Sequence, residues 1–329
     1  MQTRQLGTTD LHITPIGFGA WALGGGGWAF SWGPQDDGES ISAIRRALDL
    51  GINWIDTAAI YGLGHSETVV AAALKGRRNR PYIFTKCSLV WDAAGNISHS
   101  LKPASIRREV EDSLRRLQID VIDLYQIHWP AMPADGPSPD VEEGWRTLMD
   151  LQRAGKVRHI GVSNFNVGHL ERAGALASVG SLQPPYSMLR RDIEKEILPY
   201  CLQHDIGVIV YSPMLSGLLS GTMTRERIAA MPPDDWRKTK NREFQEPRLT
   251  HNLRLVERLR AIGSRHGRSP GEVAIAWTLR HPAVTGAIVG ARSPAQVDGF
   301  IGAAEFRLGA AELQEIDQAL AEAAGAHSL

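Results

Sequence analysis

Val121-Ile122-Asp123-Leu124-Tyr125-Gln126-Ile127-His128 is a short apolar run that ends on a histidine. An amphipathic helical pattern follows from Val141 to Gln152, and a second apolar run extends from Val157 to Val162. Two strands joined through a helix form a parallel pair, because the crossover brings the chain back to start again at the same end of the sheet.

The same alternation continues in both directions. Earlier runs stand at Ile16 to Phe18, Asn53 to Asp56 and Tyr82 to Lys86; later ones at Ser181 to Gln183, Val208 to Tyr211 and Gly286 to Gly290. Helical patterns between them include Ser40 to Leu50, Glu67 to Leu74, Ser105 to Leu117 and Leu253 to His266. Eight strands, each followed by a helix, close a parallel α/β barrel, the (β/α)8 TIM barrel. A doubly wound sheet uses the same alternation and is the structural alternative. Ahead of the first strand, Thr3 to Leu6 and Leu11 to Ile13 flank the turn-rich Gly7-Thr8-Thr9-Asp10, which predicts an N-terminal β-hairpin.

Several helix ends carry their own markers. Ser66 is expected to cap a helix beginning at Glu67, and Gly51 and Gly155 to close helices in the left-handed conformation. Composition shifts nowhere sharply and no internal repeat is visible, so residues 1–329 are expected to form a single domain. One segment breaks the rhythm: Gly221 to Thr250 contains Met231-Pro232-Pro233-Asp234-Asp235 and lacks a clean apolar period. A long loop after the seventh strand lies at the catalytic rim of a barrel, where it is read either as a mobile cover over a bound ligand or as a floppy insertion.

Composition narrows the partners. Hydrophobic residues make up 43% and charged residues 22%, an ordinary globular balance. Lys plus Arg number 36 and Asp plus Glu number 36, so no global field attracts nucleic acid or a membrane surface. The two cysteines, Cys87 and Cys201, stand in no metal-ligand or disulfide spacing, and no metal site is expected. The N-terminus lacks the apolar core of a signal peptide, so a cytoplasmic location is expected. The sequence offers no self-complementary stripe from which to read a subunit number.

Position singles out the chemical groups. Asp56, Lys86 and His128 each fall at or just beyond the C-terminal end of an expected strand, and Tyr61 lies in the loop after Asp56. In a parallel barrel those ends converge on one face. An unperturbed tyrosine has a pKa of about 10, and a neighbouring ammonium would favour its phenolate. Asp56, Lys86 and Tyr61 are therefore expected to form a chain that acidifies the phenol, with His128 holding a substrate oxygen. Such a set polarises a carbonyl and supplies a proton. Hydride has no side-chain source, so a nicotinamide or flavin is required. The glycine run Gly24 to Gly27 fails the dinucleotide fingerprint spacing and is taken as a loop.

These residues carry a resemblance. Gly17-Phe18-Gly19-Ala20-Trp21, Asp56-Thr57-Ala58-Ala59-Ile60-Tyr61-Gly62 and Gly64-His65-Ser66-Glu67 resemble the aldo-keto reductase superfamily. So do Ile127-His128-Trp129-Pro130, Gly161-Val162-Ser163-Asn164-Phe165, Tyr211-Ser212-Pro213-Met214 and Gly290-Ala291-Arg292-Ser293-Pro294-Ala295-Gln296. The pattern is most similar to the bacterial and plant members that use NADP(H). The resemblance implies Tyr61 as general acid in reduction, tuned by Lys86 and Asp56, with His128 orienting the carbonyl. It implies that Ser163, Asn164 and Gln183 hold the nicotinamide carboxamide and that Tyr211 stacks on the ring. Gly19, Ala20 and Trp21 would lie near the nicotinamide ribose, and Ser212, Pro213, Met214, Ser216 and Gly217 along the pyrophosphate. Gly290, Arg292 and Gln296 belong to the phosphate segment, where a guanidinium can pair with the 2′-phosphate that only NADP(H) carries. Gly299 and Phe300 replace the acidic residue and asparagine that often contact adenine.

Trp28, Phe30 and Trp32 crowd the loop after the first strand, Trp91 follows the third and Trp129 follows His128. Together they are expected to wall a pocket for a bulky or sugar-like carbonyl substrate. NADPH-dependent reduction of an aldehyde or ketone is the leading expectation. The same groups run backwards would make an NAD(P)+-dependent sugar or polyol dehydrogenase. A cofactor-sensing regulatory subunit, like the channel-associated members, would need no substrate. A Schiff-base aldolase using Lys86 would leave Tyr211, Arg292 and Ser163-Asn164 without tasks.

Overall fold

Trp54 shows how the barrel is filled at its base. Its ring takes the space above Gly17, where a Cβ atom would stand 2.2 Å from the indole. Its Nε1 donates to the Thr14 carbonyl at 2.9 Å, so the buried indole keeps its hydrogen bond. Leu6, Leu11 and Ile13 of the N-terminal hairpin pack against Trp54, Phe84, Leu124 and Ile209. The hairpin, β1 (Arg4–Gln5) and β2 (His12–Ile13), is antiparallel and plugs the N-terminal end. Burying each of its aliphatic side chains contributes roughly 1.5–3 kcal/mol.

The structure is a computed structural model describing residues 1–131, 141–233 and 235–325. Asp234, in the irregular stretch after the seventh strand, lies outside the described residues, as do positions 132–140 and 326–329 of the expected domain. The barrel strands are β3 (Ile16–Gly19), β4 (Trp54–Asp56), β5 (Tyr82–Cys87), β8 (Ile122–Ile127), β9 (Val157–Ser163), β10 (Ser181–Gln183), β11 (Gly207–Tyr211) and β12 (Val284–Gly290). Each pairs in parallel with its neighbours, and β12 closes onto β3, so the doubly wound alternative is excluded. Between β5 and β8 stands a hairpin absent from the sequence reading, β6 (Leu89–Trp91) with β7 (Ile97–His99). Its strands are three residues each, too short for alternation to register.

Helices α1 (Asp37–Asp49), α2 (His65–Leu74), α3 (Pro103–Leu117), α4 (Val141–Arg153), α5 (Val167–Gly174) and α6 (Ile197–Gln203) cover the first six barrel strands. Then come α7 (Arg225–Ala229), α8 (Trp236–Thr239), α9 (Arg248–Ser264), α10 (Pro270–Thr278), α11 (Pro294–Asp298) and α12 (Ala310–Gly325). The main core lies between sheet and helices, with Val70, Ile106, Val110, Trp145, Leu259 and Ile275 buried there. Cys87 and Cys201 are buried in the same core, and burial pushes both thiols up, Cys201 to about 12. Gly51 and Gly155 close helices at φ of 94° and 73°, as expected. Among the described residues no helix is long and apolar enough to cross a membrane.

Two expectations need correction. Ser66 is not a cap: α2 starts at His65 behind Gly64, and the Ser66 hydroxyl donates to the Ala20 carbonyl at 2.8 Å. The better use of that buried hydroxyl is to tie the first barrel loop to the second. The segment from Gly221 to Thr250 does follow the seventh barrel strand, but it is not structureless. It contains α7, α8 and a 3-10 turn at Arg242–Phe244, and α9 already begins within it. Met223, Ile228, Met231, Phe244 and Leu249 bury themselves against Leu215 and Leu218, a small core that holds the segment over the rim.

Candidate active site

Asp56 is the last residue of β4, Lys86 the penultimate residue of β5, and His128 the first residue after β8. The parallel barrel delivers all three to one end, the expected result of strand order. Tyr61 comes from the loop between β4 and α2. That loop is fixed by Gly62, which takes a φ of 61° against Gly24; a Cβ there would stand 2.3 Å from the Gly24 carbonyl oxygen.

Lys86 Nζ donates to Asp56 Oδ1 at 2.6 Å, to the Thr57 carbonyl at 2.9 Å and to the Tyr61 hydroxyl at 3.3 Å. Three acceptors use the three ammonium protons. The phenol oxygen therefore accepts from Lys86, which leaves its own proton free to face the cavity. Lys86 has 0% side-chain exposure and does not line the cavity, so its amine is not presented for Schiff-base chemistry.

The electrostatics correct one expectation. Burial, and then the Asp56 carboxylate, push the Tyr61 phenol well above its ordinary value rather than below it. Lys86 spends its charge on Asp56, the closer partner, so the phenol sees an ion pair and not a bare cation. Burial lowers Lys86, with Asp56 pulling in the opposite direction. Burial, then Lys86, hold His128 well below the usual histidine range, so its imidazole is neutral at neutral pH. Its ring lies edge-on to Tyr61, centroids 5.7 Å apart, and a neutral imidazole still offers one N–H.

Beside these groups, Ser163 Oγ donates to the Gln183 carbonyl at 2.8 Å, and Asn164 Nδ2 to the His128 carbonyl at 2.9 Å. The Tyr211 hydroxyl donates to Asn164 Oδ1 at 2.9 Å. Gln183 turns its Nε2 inward to Asp56 Oδ2, 2.8 Å away, so one arm of its amide is already committed. After β11 the backbone takes positive φ at Ser212, Leu215, Ser216 and Gly217. Positive φ at three non-glycine residues stores local strain in this turn.

A cavity of about 1330 Å³ runs across the rim. Asp56, Tyr61 and His128 open onto it, with Gly19, Ala20 and Trp21 on one side and Ser163, Asn164 and Gln183 on another. Tyr211, Ser212, Pro213, Met214, Ser216 and Gly217 continue the wall, and Gly290, Arg292 and Gln296 complete it. Gln296 Oε1 accepts from the Arg292 backbone N–H at 2.8 Å. Arg292 also reaches the loop after β3, where its Nε donates to Gln35 Oε1 at 2.5 Å and its Nη2 to the Pro34 carbonyl.

Around Tyr61 the wall is aromatic. Trp21 lies nearly parallel to Tyr61, with centroids 5.7 Å apart at 17°, and Trp32 stacks on Trp21 at 6.2 Å. Trp28, Phe30, Trp32 and Trp129 line the cavity. Trp91 does not: in the β6–β7 hairpin its ring lies beneath the Arg116 guanidinium, 5.8 Å from its centroid. The sequence reading missed Arg237 of α8, which sits 4.9 Å over the Trp32 ring and pairs with the buried Asp235 at 2.6 Å. It also missed Gln126, a polar residue inside the apolar run of β8, which was visible as an exception to that run.

Fold and comparison together define the class: an NAD(P)(H)-dependent oxidoreductase on a (β/α)8 barrel. The model of the Aldo/keto reductase family matches residues 15–321, and the chain belongs to that family. It is 37% identical to the aldo-keto reductase YhdN of Bacillus subtilis, covering 97% of this chain and 94% of the relative. It is 34% identical to an NADH-specific methylglyoxal reductase of Escherichia coli, covering 97% and 99%. Among solved structures, a glycerol dehydrogenase from Gluconobacter oxydans superposes with a TM-score of 0.86 at 37% identity, covering 98% of this chain and 95% of that one.

Proposed function

We propose that this protein reduces a neutral, bulky aldehyde or ketone to the alcohol with NADPH, with Tyr61 as the proton donor. One observation carries the reading: the Tyr61 hydroxyl accepts from the buried Lys86 at 3.3 Å while the residue itself lines the cavity. A phenol so held keeps its proton until negative charge develops on a substrate oxygen nearby. His128, neutral and edge-on to that ring, supports the same oxygen with its N–H.

The residues along the cavity suit a nicotinamide dinucleotide, which supplies the hydride when bound. The strained turn from Ser212 to Gly217 fits close approach of a pyrophosphate, and Arg292 at the far end fits a 2′-phosphate. The basic side chains Arg227, Arg237, Lys240, Arg242 and Arg292 also border this cavity and favour an anionic ligand. The walls around Tyr61 instead consist of Trp21, Trp28, Ile60, Leu89 and Trp129. That apolar enclosure favours an uncharged substrate, because a carboxylate or phosphate there would lose its hydration without a partner.

A second reading, oxidation of a sugar or polyol with NAD(P)+, draws support from the likeness to the Gluconobacter glycerol dehydrogenase. The proton and hydride steps are the same in reverse. A panel of aldehydes, ketones, sugars and polyols assayed with each coenzyme decides between them. The proposal expects fastest turnover for neutral aryl or long-chain aldehydes with NADPH. Turnover confined to polyols with the oxidised coenzyme would favour the second reading.

A further inference from the structure

Gln126 is fully buried in β8, whose one other buried polar side chain, Asp123, is matched by Arg80 and Arg158. A buried side-chain amide is costly unless its hydrogen bonds are made, so a glutamine in a barrel interior calls for partners. Among the described residues it has two, and both belong to the site. Its Nε2 donates to Asp56 Oδ2 at 3.4 Å, and its Oε1 accepts from Gln183 Nε2 at 3.3 Å. Gln183 Nε2 donates in turn to the same Asp56 Oδ2 at 2.8 Å. Asp56 thus has its two oxygens divided: Oδ1 faces Lys86, and Oδ2 faces two amides. Gln126 does not line the cavity, whereas Asp56 and Gln183 do.

We infer that Gln126 is a positioning residue for proton transfer: with Gln183 it brackets Asp56 Oδ2 and so fixes the carboxylate that holds Lys86 against Tyr61. Two roles follow from the geometry. Donation by the amides stabilises the ionised carboxylate, which keeps Lys86 charged and directed to the phenol. It also draws negative charge on Asp56 toward Oδ2, away from Tyr61, easing formation of the phenolate as the proton leaves. Gln126 Oε1 meanwhile holds the Gln183 amide in the orientation that reaches Asp56. The influence of Gln126 on the reaction passes through Asp56 and Gln183, since Gln126 itself does not line the cavity.

Removing the donor should make every anionic form in this chain harder to reach. In Gln126→Met, which keeps length and volume, the Asp56 carboxyl and the Tyr61 phenol should both bind protons more tightly. The pH profile of kcat should therefore move to higher pH. A fall in kcat of about tenfold at neutral pH is expected from loss of one hydrogen bond to a charged group. Substrate KM should remain within about twofold, because Gln126 does not line the cavity. Gln126→Leu is the second variant: it stays apolar and buried, and removes both the donor to Asp56 and the acceptor for Gln183. It should show the same upward displacement of the profile as Gln126→Met.

An unmoved pH profile in both variants would overturn the inference, whether or not kcat falls, because a purely packing role changes rate without changing proton affinity. Wild-type behaviour of Gln126→Leu would overturn it as well, by showing that the donor is dispensable. Should Gln126→Met fail to bind NADPH or to fold, Gln126→Leu alone decides. The inference rests on Tyr61 as the proton donor, and Tyr61→Phe run alongside separates the two. Full turnover in Tyr61→Phe removes the underlying assignment; lost turnover there with unmoved Gln126 profiles removes only the bracket.

Discussion

Asp56 Oδ1 stands 2.6 Å from Lys86 Nζ, and both side chains are almost fully buried. Burial, and then the Asp56 carboxylate, push the Tyr61 phenol up rather than down, although Lys86 lies beside it. Breaking the pair should be severe, since it leaves one charge buried without its counterpart. Asp56→Asn should cost about 3–5 kcal/mol of stability by chemical denaturation and lower kcat sharply. A variant with wild-type stability would contradict the pairing described here.

His128 gives a test by pH. Burial and Lys86 hold it well below the usual histidine range, so protonation of this ring should produce no inflection near pH 6.5 in kcat/KM. His128→Ala should lower kcat/KM by roughly ten- to a hundredfold through loss of a hydrogen bond to the substrate oxygen. His128→Gln, which keeps an N–H donor, should recover part of that loss. Equal defects in the two variants would remove the donor role.

Glu109 predicts a pH dependence of folding. Its carboxyl is pushed up to about 7 by burial, against weaker opposing hydrogen bonds from Ser105 and the Ser88 backbone. A carboxyl whose folded pKa is raised favours the native state below its unfolded value. That contribution fades as pH rises through the folded value. Wild-type stability should therefore lose up to about 3 kcal/mol between pH 5 and 8 relative to Glu109→Gln, whose side chain stays neutral throughout. Parallel stability curves for the two proteins, followed by urea denaturation, would contradict the shift.

Arg292 addresses coenzyme choice. Gln35 and Pro34 fix its guanidinium from the loop after β3, at the cavity edge. Arg292→Ala should weaken NADPH on the order of a hundredfold while changing NADH affinity little, the difference expected from one charge-assisted pair with the 2′-phosphate. Equal weakening of both coenzymes in titrations would mean that Arg292 serves the dinucleotide in general. The NADH-specific Escherichia coli relative makes this comparison informative.

Much of the fold was legible because the barrel strands are short, apolar and bounded by helical patterns. Asp56, Lys86 and His128 announced themselves by falling at the ends of such runs, and strand order did the rest. The charge balance was not legible, because it turns on the burial of Tyr61 and on Asp56 lying close to it, neither of which leaves a local trace. The side of a hairpin on which Trp91 falls could not be read either, since neither β6 nor β7 is long enough to show a period. Contacts such as Arg292 with Gln35 join residues 257 positions apart and leave no local trace. Gln126 left a trace, a lone amide among apolar neighbours, whose meaning depended on Asp56 and Gln183 arriving from other strands.

The most direct test of the central claim is single-turnover reduction by Tyr61→Phe with NADPH already bound. The substitution removes the hydroxyl that Lys86 holds at 3.3 Å and preserves the ring stacked on Trp21. NADPH should bind with near wild-type affinity, and the reduction rate should fall by about two to four orders of magnitude. Reduction at the wild-type rate would show that the proton comes from elsewhere.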